Sequence, residues 1–183
     1  TPTMPLSAQQ LILSQLPSIK EAMREELSAD KKKLLAQAFN LEKWPIAQLV
    51  STFERNNAQS LIQRHQISSY LQDKHPERGK NAIVFGVTGT PGAGKSSLIG
   101  ELCLSLIDAH PELSIAILAI DPSSQESGGA LLGDRTRTIF PVNDKRIFFR
   151  SQASHQDLGG MGKSTFHVTR LLRKLFDIIL IET

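Results

Sequence analysis

A chain of 183 residues, 40% hydrophobic and 21% charged, has the size of one full domain or of a core with an appendage. It contains no apolar run near the roughly 18–20 residues that cross a bilayer, no charged-then-apolar leader and only one cysteine, so a cytoplasmic protein without membrane contact or internal disulfide is expected. The net charge of +3 lies in the first 80 residues, with 11 Lys/Arg against 8 Asp/Glu, and aromatics make up only 5% of the chain, so a nucleic-acid partner is not expected.

Residues 1–80 read as a helical region closed by a linker, and 81–183 as a unit of different texture. Ser18-x-x-Glu21 after Pro17 has the form of a capping box and predicts a helix start there. Leu34, Leu35, Ala38 and Phe39 predict a second apolar face. Ile46, Leu49, Val50 and Phe53 follow the i, i+3, i+4, i+7 spacing of a third. A last helix spans about Gln59–Leu71. Lys31-Lys32-Lys33 reads as a solvated face, and Trp44 and His65 as core residues. Asp73-Lys74-His75 approaches the cobalamin-binding pattern Asp-x-His-x-x-Gly but has Arg78 where glycine is required. It is rejected as a site, and Gln72–Lys80 is read as a polar linker with a proline-containing turn.

From Ala82, apolar strands alternate with amphipathic helices, which predicts an α/β fold with a mostly parallel sheet flanked by helices. Ile83, Val84, Phe85 and Val87 form a strand expected to be buried on both faces. The loop that follows matches G-x-x-x-x-G-K-[ST] at Gly89, Gly94, Lys95 and Ser96. Leu98, Ile99, Leu102 and Leu106 then carry a helix whose N-terminus converges with the loop amides on one anion-attracting point. Glycines let the backbone approach a triphosphate, Lys95 reaches the β- and γ-phosphates, and the Ser96 hydroxyl suits Mg²⁺. Cys103 falls among the apolar residues of this helix and reads as a buried structural thiol.

Later strands are expected at Ile115–Ile120, Ile147–Phe149 and Ile178–Ile181. Asp121 and Glu182 follow two of them, at the carboxyl ends where ligands of parallel sheets bind, and a role at the Mg²⁺ site is expected for both. The loop Pro122–Arg137 is glycine-rich yet carries Ala130, Leu131 and Leu132, the pattern of a segment with two arrangements, followed by Asp134 and Arg135. A third loop is expected at Ser151–Gly162, before a helix over Lys163–Phe176. Gly162-Lys163-Ser164 repeats G-K-S, but Asp157 occupies the position of the first glycine, so no second phosphate loop is counted.

Taken together, GVTGTPGAGKSS, AIDPSSQESGGALLGDRTR and FDIILIET resemble the MeaB/ArgK/MMAA metallochaperone GTPases and the GTPase domain of fused isobutyryl-CoA mutase. The resemblance covers about Ile46–Thr183 and is strong from Val84; the middle motif is the specific one. It implies that 81–183 is the N-terminal part of a P-loop GTPase domain, truncated at its C-terminus. It further implies that Gly89, Pro91, Gly92, Ala93, Gly94, Lys95, Ser96 and Ser97 bind the phosphates of GTP. The implied metal set is Ser96, Asp121 and Asp134, and the implied catalytic set is Lys95, Asp121 and Glu182, with Glu182 at the Walker B position. The implied partner is an adenosylcobalamin-dependent acyl-CoA mutase such as methylmalonyl-CoA mutase, whose cofactor loading and protection GTP hydrolysis would gate, with Pro122–Arg137 reporting nucleotide state. A homodimer is expected of the full-length protein. Thr138 stands where many relatives have Met. Two rival readings stay open: a small-molecule kinase or ATPase, and a nucleotide-gated interaction module with negligible turnover.

Overall fold

A computed structural model describes residues 8–121, 140–141, 143–153 and 162–183. Four helices, α1 (Ala8–Arg24), α2 (Ala29–Phe39), α3 (Lys43–Glu54) and α4 (Ala58–Lys74), precede the strand β1 (Ile83–Val87). Then come α5 (Lys95–Ala109), β2 (Ile115–Asp121), β3 (Ile147–Ala153), α6 (Lys163–Leu172) and β4 (Ile178–Glu182). All strand pairs are parallel, in the order β1-β4-β2-β3.

Alternation along the strands sorts their side chains onto two faces, because successive residues of a strand point to opposite sides. Ile115, Ile117, Ile147, Ile178 and Leu180 join Ile99, Cys103 and Ile107 of α5 in one cluster. Ala116, Leu118, Phe148, Ile179 and Ile181 face the other way and join Leu35, Ile46, Leu49, Val50, Ile67, Val168 and Leu172. The core of the sequence-defined helical region is therefore continuous with one face of the sheet. The expected apolar faces of α2 and α3 are the ones buried, with Leu35, Ala38, Ile46, Leu49 and Val50 fully enclosed. Cys103 is enclosed as well, and burial pushes its thiol up to about 11, which fits the structural role expected of it.

A polar network completes the attachment. Arg150 on β3 donates from Nε to Glu54 Oε1 at 3.0 Å and from Nη2 to Glu54 Oε2 and Ser51 Oγ, while Gln152 Nε2 reaches Glu54 Oε1 at 2.9 Å. One carboxylate at the end of α3 thus holds two side chains of a strand about one hundred residues later. At the amino ends of the two central strands, Asp177 Oδ2 accepts from the backbone and hydroxyl of Ser114, fixing the start of β4 beside β2.

Several expectations are corrected. Pro17 and Ser18 lie inside α1, so the Ser18–Glu21 spacing does not cap a helix start. Proline removes one backbone donor, and α1 continues past it along α4, where Gln66 Nε2 donates to the Ala22 carbonyl. Trp44 is 73% exposed and His65 is also exposed; each lies off the apolar stripe of its helix. The strand β1 is an edge strand among the described residues, and Ile83, Val84 and Phe85 are 52%, 39% and 49% exposed rather than buried on both faces. Ser151, Gln152 and Ala153 extend β3 into the stretch expected to be loop, because they pair in register with Ala119, Ile120 and Asp121.

The linker is docked. His75 meets the Phe39 ring edge-on at 4.8 Å, and the Arg78 guanidinium sits 3.9 Å from its centroid. Gly79 has φ +78, and a Cβ there would stand 2.4 Å from the Arg173 carbonyl oxygen, so only glycine lets the chain press against the end of α6.

Replacing Glu54 by Gln removes the charge from the α3–β3 network. It is expected to lower unfolding free energy by about 1.5–3 kcal/mol, the range for a hydrogen bond to a charged group. Urea denaturation of the chain and the variant measures this; equal midpoints would show that water replaces the carboxylate at no cost.

Candidate nucleotide site

The loop between β1 and α5 has a backbone that its sequence dictates. Gly92 and Gly94 both take φ 80, a left-handed conformation that residues with a Cβ adopt at a cost of about 1–2 kcal/mol. Gly94 is the N-cap of α5 and has no side chain with which to bond the first helical amides, so those donors stay available to a ligand. The Ala93 amide closes the turn on the Thr90 carbonyl at 3.2 Å. Nothing lies within 4 Å of an added Cβ at either glycine, so the reason for glycine is conformation and access rather than packing.

Lys95 opens α5 and folds back over the loop. Its Nζ donates to the carbonyls of Gly89 at 2.8 Å and Thr90 at 3.2 Å. An ammonium has three donors, so two brace the loop and one remains for an anion. The next residue makes the contact that joins loop to sheet. Ser96 Oγ donates to Glu182 Oε1 at 2.5 Å. Glu182 ends β4, directly opposite Val87 in the β1–β4 register, and the Thr183 amide donates to the Val87 carbonyl at 3.0 Å.

The fold therefore brings Gly89, Pro91, Gly92, Ala93, Gly94, Lys95, Ser96, Ser97 and Glu182 together at the carboxyl ends of β1 and β4. Asp121 ends β2 at the same edge of the sheet, two residues beyond the Ala119↔Glu182 pair. Asp134, the whole Pro122–Arg137 loop and Gly159–Met161 lie outside the described residues. The carbonyls of Gly89 and Thr90 had no sequence signal as partners of Lys95, since backbone acceptors are common to every residue type. The Ser96–Glu182 bond was equally silent, spanning 86 positions.

The donors at this edge are oxygens, one hydroxyl and one carboxylate already in contact, which is the chemistry of a hard divalent cation such as Mg²⁺. Among the described residues no group of three or more His, Cys, Asp or Glu could hold a metal by itself. A cation here would take other oxygens from its nucleotide or from water.

Comparison with known proteins agrees with this arrangement. The family model described as "Methylmalonyl Co-A mutase-associated GTPase MeaB" matches residues 46–183. A fused isobutyryl-CoA mutase of Cupriavidus metallidurans is 38% identical over 141 residues, 75% of this chain and 12% of that protein. The GTPase ArgK of Escherichia coli is 36% identical over 122 residues, 66% of this chain and 36% of that one. A crystal structure of a LAO/AO transport system kinase superposes with a TM-score of 0.60 at 23% identity, over 87% of this chain and 44% of that chain, and shares the fold. The chain spans well under half the length of these relatives.

Gly94→Ala is expected to lower stability by about 1–2 kcal/mol through strain at φ 80 and to weaken nucleoside triphosphate binding more than that strain alone explains. Urea unfolding and nucleotide titration on the same preparation separate the two effects. A variant with normal affinity would show that the loop tolerates a Cβ against its ligand.

Proposed function

The chain belongs to the MeaB family of methylmalonyl-CoA mutase-associated GTPases, and on that premise we propose that it is the phosphate-binding part of a GTPase that attends an adenosylcobalamin-dependent acyl-CoA mutase. The observation that carries the reading is the Ser96–Glu182 contact, which joins the phosphate loop to the end of β4. The proposed work is the gating of cofactor loading and the protection of the mutase through cycles of GTP binding and hydrolysis. Relatives that are fused isobutyryl-CoA mutases favour a second form of the same reading, in which this unit is one domain of the mutase itself.

Phosphoryl transfer to water needs positioning and charge stabilisation more than covalent chemistry from the protein. Loop amides and the N-terminus of α5 would cradle the β-phosphate, with Lys95 giving its third donor to a β- or γ-oxygen. Because Lys95 is already held by Gly89 and Thr90, little side-chain freedom is lost when phosphate arrives. Bound Mg²⁺ would supply further neutralisation of the β- and γ-oxygens. Ser96 would hold it, with Asp121, Asp134 and Glu182 as the carboxylates near it, directly or through water. Glu182 would accept the Ser96 proton's hydrogen bond and so turn a lone pair of Oγ outward. No described residue is placed as a general base, so orienting the water falls to a group outside these residues or to the partner.

Lys95→Ala is expected to lower phosphate release from GTP by about 10²-fold or more, the scale for loss of one preorganised charge donor, with the fold intact by circular dichroism. Unchanged turnover would remove the loop from the mechanism. Asp121→Asn is expected to raise the Mg²⁺ needed for half-maximal turnover. A superimposable Mg²⁺ titration would reduce Asp121 to a strand-end residue.

A further inference from the structure

A cavity of about 570 Å³ opens between α4 and α6, and none of its lining residues belongs to the phosphate loop. Four of them are basic: Arg64 and His65 on α4, and His167 and Arg170 on α6. Asp73 is the one acid. The two arginines put like charge on one cavity from facing helices, which costs stability wherever water is partly excluded.

Arg64 is the most telling of the four. Its residue is nine-tenths buried, and among the described residues its hydrogen bond runs from Nη1 to the Phe53 carbonyl at 3.3 Å. A guanidinium has five N–H donors, and no carboxylate among the described residues forms an ion pair with this one. Arg170 faces the same cavity from the other helix, with the Phe166 ring 5.9 Å from its guanidinium as its described contact. Met23, Phe53 and Leu61 supply an apolar wall, and Ser68, Ser69 and Gln72 supply neutral hydrogen-bonding groups.

We propose that this cavity binds a small organic anion, its phosphate or carboxylate held between Arg64 and Arg170 and its carbon body against Met23, Phe53 and Leu61. Planar forks on two helices match a planar carboxylate or a phosphate face through paired N–H donors. The volume lies within the roughly 300–1,000 Å³ of small-molecule sites, and a mostly apolar wall with a few convergent polar groups is the usual makeup of one. The acidic chain of a protein partner would use the charges but leave the apolar wall of Met23, Phe53 and Leu61 unfilled.

The His167 imidazole offers a local reporter. Desolvation lowers its pKa, and the charges of Arg64 and Arg170 lower it further. An oxyanion between the guanidiniums opposes that second effect, so ligand binding moves the His167 titration upward. His65, Asp73 and the two arginines are the other charged or titratable groups facing this cavity.

The test uses the full chain carrying Lys95→Ala, so that the phosphate loop does not compete, at physiological salt. Phenyl phosphate, benzoate and inorganic phosphate are titrated while the His65 and His167 ring resonances are followed by NMR. Saturable binding is expected below about 1 mM for phenyl phosphate or benzoate, with the His167 midpoint rising. The better of the two identifies the head group. Inorganic phosphate is expected to bind about tenfold more weakly, for want of an apolar body. Arg170→Gln, at an exposed position, should weaken the organic anion about tenfold with unchanged circular dichroism, and Arg64→Lys should do so by losing the fork while keeping the charge. Lack of saturation, equal affinity for inorganic phosphate, or full affinity in Arg170→Gln would each overturn the proposal. If Arg64→Lys does not fold, Arg170→Gln alone decides.

Discussion

The parallel pairing of β1 with β4 is the contact on which the nucleotide edge depends. Ile83 to Val87 lie opposite Ile178 to Glu182 residue for residue, so the strand that opens the phosphate loop ends level with the strand that ends in Glu182. A register shifted by one residue would turn every β4 side chain to the other face and carry Glu182 away from Ser96. The Ser96–Glu182 hydrogen bond is thus a consequence of sheet register. At the opposite end Asp177 ties β4 to both neighbours, its carbonyl accepting from the Ile83 amide at 2.9 Å before β1 and its carboxylate holding Ser114 before β2.

A parallel sheet needs both faces covered, and the two covers have different sources. Helix α5 covers one face and follows directly from the glycine-rich loop, so the element whose N-terminus faces the candidate site is also packed through Ile99, Cys103 and Ile107 against the sheet. The other face is covered by α6 together with helices from the first 80 residues. Those helices are part of the domain's packing, and Glu54 gives the union direction through Arg150 and Gln152. The helical region is thus attached to β3, the edge strand on the far side of β2 from the β1–β4 pair that carries the nucleotide site.

The cations of this chain are handled in contrasting ways. Arg146 is held in place by Asp144, and its guanidinium keeps that carboxyl below its ordinary range. Arg150 has Glu54, while Lys95 has two carbonyls and a donor to spare. Arg64 and Arg170 share a cavity and have no carboxylate of their own among the described pairs. Paired charges hold elements together, whereas cations with donors left over are the ones equipped to meet a ligand.

Local signals in the sequence determined the elements and the phosphate loop. The glycine spacing of Gly89–Lys95 requires a particular turn, and the i, i+3, i+4 spacing of Ile46–Phe53 places an apolar stripe on a helix wherever that helix ends up. Both depend on neighbours a few residues apart, which is why both were legible. Trp44 and His65 were misread because residue type says less about burial than the angular position on the helix does. The misread edge strand β1 shows the same limit, since a run of Ile, Val and Phe records an apolar preference but not which neighbours cover it. Pro17 signals a boundary through a local cost that is real, and contacts with α4 outweigh it. Only the tertiary structure decided that Ser96 meets Glu182, that Glu54 grips β3, and that Arg64 and Arg170 line one cavity. Each of these joins residues from about 86 to more than 100 positions apart, and no periodicity in a chain encodes which of many distant donors and acceptors the closing of the sheet will bring within 3 Å.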